Sequence, residues 1–346
     1  MPAEWERHAA TWIAWPHNRS DWPGKFAPIP WIYAEIVRVL AKGERVNIFV
    51  QDAAEREGAR RILERDGADL TQVTFHLQPT DRVWTRDSGP MFVRSSGDSL
   101  GLCDWKFNAW AKYDDWKNDD RLPGYVAKKL KLKSWQPEAQ DVSGKPRRLV
   151  LEGGSIDVDG AGLLMTTEEC LLSEVQQRNP GVTREALEGA FATYLGIQKV
   201  LWLDRGIAGD DTHGHVDDLA RFVRPGTIVL STEANAADDN HAPLRANLKR
   251  LKAMRDLRGK PFEVVELPLP AKVLFRGQRL PASYANFYIA NAGVLVPVFN
   301  DPNDTRALRI LEGLFRDRPV IPIYCRDLVW GLGTLHCMTQ QQPAAA

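Results

Sequence analysis

The sequence predicts a mixed α/β fold made of repeated units, each with a β-hairpin, a helix and a further strand. Four hairpin-type turns carry a glycine at or near the tip, at Gly97, Gly160, Gly226 and Gly293, so that they recur at intervals of 63, 66 and 67 residues. Short apolar runs flank each turn, as expected for the two strands of a hairpin. A regular spacing in this range indicates repeated modules that bury their apolar faces against their neighbours.

The same elements follow each of the last three turns. An apolar pattern with helical spacing comes first, as at Leu308, Leu311 and Phe315, and a strand-type run comes next. Asp301 and Pro302 suit the N-cap and the first position of the last helix. The predicted helices cover residues 183–195, 243–257 and 305–315, and the predicted closing strands cover residues 199–203, 262–267 and 320–324.

The two ends of the chain complete the pattern. Residues 334–339 and residues 9–15 both have strand-type sequences, and the second segment is followed by a helix at 31–40 and a strand at 45–50. We expect the terminal strands to pair, to form a fifth unit and to close residues 1–346 into a single ring-shaped domain, because closure leaves few exposed sheet edges. An ordinary layered α/β sheet is the alternative.

The composition argues against several kinds of partner. The 346 residues include 45 Lys and Arg and 45 Asp and Glu, so no excess charge favours nucleic acid or an anionic membrane. No apolar run approaches the length of a transmembrane helix, and the first residues lack a signal-peptide pattern, so we expect a cytoplasmic protein. Four scattered cysteines do not suit a disulfide framework or a Cys-x-x-Cys metal site: Cys103, Cys170, Cys325 and Cys337.

Proton-handling side chains are densest in residues 210–218, whose sequence is Asp-Asp-Thr-His-Gly-His-Val-Asp-Asp. We expect a strand there, leading into the third hairpin. Side chains two residues apart on a strand share a face. Four acidic or imidazole groups would then project together: Asp211, His213, His215 and Asp217. Such a cluster favours catalysis, and a metal site or a solvated strand edge is the alternative.

In a ring of such units, the equivalent first strands line the central axis, so we expect the polar residues just upstream of each turn to converge there. These segments contain residues 84–90, 151–154, 214–217 and 284–286, and the fifth unit supplies residues 331–337. Acids, an imidazole and a thiol would therefore come together from four units: Asp87, Glu152, His215, Asp217 and Cys337.

These motifs resemble those of the agmatine deiminases of bacteria and plants, also called peptidylarginine deiminase-like proteins, of the guanidino-group-modifying superfamily. The resemblance covers the whole chain in order: Met-Pro-Ala-Glu-Trp-Glu at 1–6, Trp-Thr-Arg-Asp at 84–87, Phe-Asn-Ala-Trp at 107–110, Leu-Glu-Gly-Gly at 151–154, Gly-His-Val-Asp at 214–217 and Leu-His-Cys-Met-Thr-Gln-Gln at 335–341. It implies the pentein fold, a five-bladed β/α-propeller of ββαβ units. It also implies that agmatine is hydrolysed to N-carbamoylputrescine and ammonia, in putrescine biosynthesis, without cofactor or metal and in a possible homodimer.

By this resemblance, Asp87 and Asp217 would bind the planar guanidinium from two sides, since carboxylates suit its paired N–H groups. Cys337 would attack the central carbon and form a covalent thiouronium intermediate. His215 would protonate the departing ammonia and then take a proton from water. Glu152 would accept a hydrogen bond from His215 and favour its charged form.

Further residues are expected to contact the substrate. Trp84 and Trp110 would stack on the guanidinium or flank the alkyl chain, and Asp211 would receive the primary ammonium of agmatine. His213 departs from the family, in which this position is commonly Asp or Asn. His336 would point away from its neighbour on a strand, so we expect it to have a packing role.

Three other functions remain open. The same site would serve a deiminase of peptidyl-arginine or free arginine. A metal-dependent hydrolase would use His213, His215 and Asp217 as ligands, and a chelator would abolish its activity. A non-catalytic, ring-shaped binding module would keep its biological role after Cys337→Ser.

Overall fold

The computed structural model describes residues 1–95 and 99–345, in which strands and helices alternate. The strands are β1 (His8–Ala14), β2 (Arg45–Val50), β3 (Val73–Leu77), β4 (Met91–Arg94), β5 (Leu100–Cys103), β6 (Lys133–Trp135), β7 (Glu138–Gln140), β8 (Pro146–Arg148), β9 (Asp157–Val158), β10 (Leu163–Thr167), β11 (Lys199–Leu203), β12 (Ala220–Arg224), β13 (Thr227–Thr232), β14 (Glu263–Pro268), β15 (Leu274–Phe275), β16 (Gln278–Arg279), β17 (Tyr288–Ile289), β18 (Val294–Val298), β19 (Val320–Tyr324) and β20 (Gln340–Pro343). The α-helices are α1 (Ile29–Leu40), α2 (Ala53–Asp66), α3 (Thr85–Ser88), α4 (Leu122–Leu130), α5 (Glu168–Leu172), α6 (Arg184–Ala190), α7 (His241–Ala253) and α8 (Asn303–Leu314).

Five small sheets of the described chain share one arrangement. In each, two strands pair in antiparallel fashion, and a helix-containing connection leads to a strand that runs parallel to the second one. The sheets have the strand orders β4-β5-β6, β9-β10-β11, β12-β13-β14, β17-β18-β19 and β20-β1-β2-β3. The predicted mixed α/β fold is therefore confirmed, while the alternative of one layered sheet is not what forms.

The first of these units was only partly predicted. Its hairpin, β4 and β5, is present, but the predicted turn at Ser96 and Gly97 lies outside the described residues. The helix α4 and the short strand β6 that complete the unit were not recognised in the sequence, because α4 has only nine residues and β6 only three. Short elements show too few repeats of their apolar pattern to be identified.

The two ends of the chain pair, as predicted. Strand β20 is antiparallel to β1, with Gln340 opposite Trp12 and Gln341 opposite Thr11. The predicted position of the last strand was wrong, however, because residues 334–339 form a loop and a turn, and β20 begins at Gln340. Thr339 fixes this turn through a hydrogen bond from Oγ1 to the carbonyl oxygen of Leu335 at 2.8 Å.

Local capping explains where several helices begin. The Thr183 side chain accepts from the backbone N–H of Ala186 and so caps α6, and the Asp52 side chain caps α2 in the same way. Helix α8 begins at Asn303, two residues before the predicted start at residue 305, and its cap position is Pro302 and not the predicted Asp301. In the described chain, no helix combines the length and the apolar character needed to cross a bilayer.

Candidate active site

Five loops that precede the first strands of the sheets meet at one place. They carry Asp87 before β4, Glu152 before β9, His215 and Asp217 before β12, Asn286 before β17 and Cys337 before β20. All of these side chains are buried. Contacts between the loops, such as the hydrogen bond from the Gly154 backbone N–H to Asp87 Oδ1 at 3.0 Å, show that they converge as the sequence predicted.

The Cys337 thiol lies between an amide and a carboxylate. Asn286 donates from Nδ2 to the sulfur at 3.0 Å, and the sulfur is 3.6 Å from Asp217 Oδ2. Burial raises the pKa of the Cys337 thiol well above its usual value, and nearby carboxylates, among them Asp217 and Asp218, raise it further. The thiol therefore stays protonated until positive charge arrives beside it.

The His215 imidazole lies among three carboxylates. Its Nδ1 is 3.8 Å from Asp87 Oδ1 and 4.0 Å from Asp217 Oδ1, and its Nε2 is 3.7 Å from Glu152 Oε2. Neither ring nitrogen has a hydrogen-bond partner among the described residues. Burial lowers the pKa of His215, but Asp87, Cys170 and Glu152 outweigh it and raise the pKa well above its usual value. His215 is therefore a cation at neutral pH, with N–H groups to donate.

A buried arginine fixes the carboxylate next to His215. Arg178 Nε is 3.1 Å from Glu152 Oε1, and the guanidinium also donates to the carbonyl oxygens of Gln176 and Thr212. Burial acts to raise the pKa of Glu152, but Arg178 and His215 lower it to about 2. Glu152 is thus an anion throughout the physiological pH range.

Asp87 is held by donors from two different loops. Trp110 donates from Nε1 to Asp87 Oδ2 at 3.0 Å, and the backbone N–H of Gly154 donates to the other oxygen. Burial raises the pKa of Asp87 to about 7, with His215 acting against this rise and Asp217 adding to it. A cation bound beside Asp87 would favour its ionised form.

His336 links Asp217 to the N-terminal segment. Its Nδ1 is 2.6 Å from Asp217 Oδ2, and its Nε2 is 2.8 Å from Glu4 Oε2. Glu4 is held in turn by Arg86 and Arg221, at 3.1 and 2.8 Å. Burial would raise the pKa of Asp217, but the bond and charge of His336 lower it. His336 therefore orients Asp217, whereas the sequence predicted only packing.

The expected opposite orientation of Cys337 and His336 was wrong. They lie in the turn formed by residues 335–338 and not on a strand. The Cys337 sulfur and His336 Nδ1 both approach the same oxygen, Asp217 Oδ2. A turn brings adjacent side chains to one side, which an extended strand cannot do.

Residues 210–218 also differ from their prediction. They form a loop followed by a 3₁₀ turn (Val216–Asp218), and not a strand. The Asp210 side chain causes this, because its Oδ2 accepts from the backbone N–H groups of Gly214 and His215 at 2.8 and 3.0 Å. The alternating common face predicted for this stretch therefore does not form.

His213 lies apart from the site that contains His215 and Asp217. Its backbone has φ of +63°, and its Nε2 is 3.2 Å from Ser173 Oγ. Among the described residues, two sets of three potential ligand atoms lie within 4.8 Å of one another: Glu152 with Cys170 and His215, and Asp217 with Asp218 and Cys337. Neither set contains His213, so the described residues do not bring together His213, His215 and Asp217, the ligands of the alternative metal-dependent hydrolase.

The thiol opens onto a cavity of about 250 Å³. Cys337 lines it, together with Trp84, Asp87, Trp110 and Asp211, which were all expected to contact substrate. Asp217, also expected to bind substrate, is fully buried next to the sulfur and is not part of this lining. Its Oδ1 has no hydrogen-bond partner in the part of the chain that the structure describes.

Sequence reasoning missed three of the groups that shape this site. Asn286 was recognised as uncharged, but its bond to the thiol was not foreseen. Arg178 lies outside the motifs, and Glu4 lies in the first motif, far from His336 in sequence, so that only the fold brings them to Glu152 and His336. The local sequence carries no signal for Arg178, because the burial that makes the Glu152 carboxylate require a partner arises only in the folded chain.

The site therefore combines two carboxylates, a protonated imidazole and a thiol beside a cavity. Carboxylates attract a planar cation with N–H donors. The imidazolium can give up a proton and take one back, and the thiol becomes a nucleophile when a cation lowers its pKa. This arrangement suits covalent chemistry at the carbon atom of a guanidinium.

Comparisons with known proteins agree with this chemistry. The sequence profile of the Porphyromonas-type peptidyl-arginine deiminase family matches residues 1–343. Agmatine deiminases of Ectopseudomonas mendocina and Pseudomonas putida are each 35% identical to the chain, over 99% of the chain and 95% of their own length.

Solved structures give the same result. An agmatine deiminase of Enterococcus faecalis has a TM-score of 0.89 and 30% identity, covering 100% of this chain and 96% of that one. A C. jejuni agmatine deiminase solved with substrate bound has a TM-score of 0.86 and 28% identity, with the same coverage.

Proposed function

The chain belongs to the Porphyromonas-type peptidyl-arginine deiminase family, and we propose that it is an agmatine deiminase, which hydrolyses agmatine to N-carbamoylputrescine and ammonia. The observation that carries this proposal is the buried cluster of Asp87, Asp217, His215, Glu152 and Cys337 beside one cavity. Full-length similarity to agmatine deiminases supports the substrate.

The guanidinium binds through the two carboxylates. Asp87 lies at the cavity wall, and Asp217 offers Oδ1, which has no partner among the described residues. Trp84 and Trp110 flank the bound group. Because both carboxylates are fixed by hydrogen bonds before substrate arrives, binding costs little reorganisation.

Substrate binding also activates the nucleophile. The carboxylates that raise the pKa of Cys337 in the free enzyme become neutralised by the guanidinium, so the thiol gives up its proton to solvent when substrate is present. The thiolate then attacks the guanidinium carbon, and a C–S bond forms. The site thus generates its reactive anion only beside the cation that it attacks.

His215 moves the protons of both half-reactions. As an imidazolium it protonates the departing nitrogen, so that the C–N bond breaks and neutral ammonia leaves. The resulting thiouronium is attacked by water, whose proton His215 takes. The C–S bond then breaks as the C=O bond of the product forms, the remaining hydroxyl proton leaves to solvent, and the thiolate is restored. Glu152, kept anionic by Arg178, stabilises the charged form of His215.

The repeated sheets and the pairing of β1 with β20 support a five-bladed pentein ring as the architecture of a single catalytic domain, residues 1–346. In such a ring the site lies where the loops before the first strands meet. A role in putrescine biosynthesis, the cytoplasmic location and a homodimer remain predictions. No step in this mechanism uses a metal or a cofactor.

Ammonia release tests the proposal. Purified protein is assayed with agmatine, free arginine and a blocked arginyl peptide in the presence of a chelator, with Cys337→Ser as the control. We expect strong preference for agmatine and complete loss in the variant. Activity on the peptide or on free arginine alone would keep the chemistry and overturn the substrate, and activity that requires added metal would contradict the thiol mechanism.

A further inference from the structure

We propose that Asp21 binds the primary ammonium group at the other end of the substrate and so selects guanidines that carry a second positive charge. This inference rests on the proposed function and assigns the part of the cavity that the deimination chemistry leaves unexplained. Asp21 lines the same cavity as Cys337, together with Arg82 and Tyr113.

The Asp21 carboxylate has one oxygen available. Its side chain is only 1% exposed, and its Oδ1 accepts from Arg82 Nη1 at 2.5 Å. Its Oδ2 is buried and has no hydrogen-bond partner in the described ranges 1–95 and 99–345. Buried carboxylate oxygens are rarely left without a donor, so a donor reaching Oδ2 from the cavity is the natural partner.

The charge around Asp21 favours a cation over an anion. Arg82 is shared between two carboxylates, since its Nε and Nη2 donate to Asp115 at 3.3 and 3.0 Å while Nη1 donates to Asp21. One guanidinium therefore faces two negative charges. Burial raises the pKa of Asp21 to about 7, with Arg82 opposing the rise and Asp115 adding to it, and an adjacent ammonium would stabilise the ionised form.

Arg82 is a poor site for a carboxylate, because its positive charge is already shared by Asp21 and Asp115. Each of its three nitrogens already donates to Asp21 or Asp115, and its guanidinium lies 4.2 Å from the ring centroid of Tyr113. The α-carboxylate of free arginine would meet the net negative charge of this group. The cavity therefore discriminates against arginine and in favour of an amine-ended guanidine.

Asp211, which the sequence suggested for this role, is less available. Lys112 pairs with its Oδ1, and the Tyr113 hydroxyl donates to its Oδ2 at 2.6 Å. Both oxygens thus have donors within the chain, and an ammonium would have to displace one of them. Asp21 can accept an ammonium without losing an existing bond.

A cycle of variants and substrates tests the inference. The wild type, Asp21→Asn, Asp211→Asn and Asp115→Asn are assayed for ammonia release from agmatine and from pentylguanidine, in which a methyl group replaces the ammonium. Asp115→Asn is the matched control, because this substitution removes the other carboxylate that pairs with Arg82, and Asp115 does not line the cavity. Thermal unfolding of each variant checks that it is folded.

We expect the wild type to favour agmatine over pentylguanidine by roughly 10- to 100-fold in kcat/KM, the effect of one hydrogen bond to a charged group. Asp21→Asn should remove this preference through a higher KM for agmatine, with little effect on pentylguanidine. Asp115→Asn should retain most of the preference.

Three results would overturn the inference. In the first, the wild type uses agmatine and pentylguanidine with equal kcat/KM. In the second, Asp21→Asn lowers kcat/KM equally for both substrates. In the third, the preference for agmatine is lost in Asp211→Asn but kept in Asp21→Asn. In all three the chain still releases ammonia from guanidines, so the deiminase proposal survives. Absence of ammonia from every guanidine in the wild type would instead refute the deiminase proposal itself.

Discussion

Replacing Gly154 by alanine tests whether the catalytic groups need their observed spacing. A Cβ at this position would lie 2.6 Å from His215 Nδ1 and 2.8 Å from Asp87 Oδ1. An ordinary contact begins near 3.4 Å, so the imidazole would have to move by about 0.8 Å. The backbone of Gly154 does not have a positive φ, so lack of space, and not backbone strain, is the obstacle.

The expected loss follows from this displacement. A misplacement of about 1 Å in a catalytic group reduces the rate by about 100-fold, and overpacking a buried site costs about 1 to 3 kcal/mol of stability. We therefore expect Gly154→Ala to lower kcat/KM for agmatine by about two orders of magnitude, measured by ammonia release, while the protein remains folded.

Gly189→Ala is the matched control. Gly189 lies in α6 and has no atom within 4 Å of a built Cβ. The Gly189→Ala substitution should leave activity unchanged and raise the free energy of unfolding by up to about 1 kcal/mol, because alanine favours the helix more than glycine does. A Gly154→Ala enzyme within about threefold of wild-type activity would refute the idea that this crowded contact positions His215 and Asp87.

Two further predictions concern the carboxylates. In His336→Asn, the amide nitrogen can take the place of Nδ1 and donate to Asp217, whereas in His336→Gln the amide lies nearer the position of the other ring nitrogen. We therefore expect His336→Asn to keep a larger part of the wild-type kcat than His336→Gln. Equal kcat values of the two variants in ammonia-release assays would argue against orientation of Asp217 by His336. Asp87→Asn should abolish activity but raise the free energy of unfolding at pH 8 by up to about 4 kcal/mol, because the folded state holds the pKa of Asp87 at about 7 against a usual 3.8 and so disfavours the ionised form. This gain in the free energy of unfolding should shrink as pH falls from 7 towards 4, because Asp87 of the folded wild type becomes protonated over this range. Denaturant unfolding of both proteins across the range measures the gain. A difference in stability that does not change with pH would show that the raised pKa of Asp87 is not the cause of the gain.

The repeat was predictable because its signals are local. Turns with glycine, alternating strands and apolar helical spacing recur along the chain, and strands such as β11 and β19 lie where they were predicted. The pairing of the two terminal strands, β1 and β20, was predictable from the number of repeated units, because neither end of the chain contains enough elements to form a complete unit by itself.

The errors arose where a side chain overrides the local pattern. Asp210 binds backbone N–H groups and turns an alternating sequence into a loop, and Thr339 closes a turn at Cys337. In both places the catalytic side chain was identified, but the direction of its neighbours was not. Sequence alternation describes an extended backbone and says nothing of such turns.

The remaining contacts depend on the tertiary fold. Arg178, Asn286 and Glu4 belong to separate segments, and nothing local marks them as partners of Glu152, Cys337 and His336. Asp21 was not noticed for the same reason, since its available oxygen exists only once Arg82 is bound to the other one. Burial and pairing of charge are properties of the assembled site.

The most direct test of the mechanism is the mass of the intact protein after acid quenching during turnover of agmatine. The mechanism predicts a transient species heavier than the free chain by the mass of agmatine less that of ammonia, attached to Cys337 and absent in Cys337→Ser. Product formation without this species at any quench time, or the same species in Cys337→Ser, would contradict covalent catalysis by the thiol.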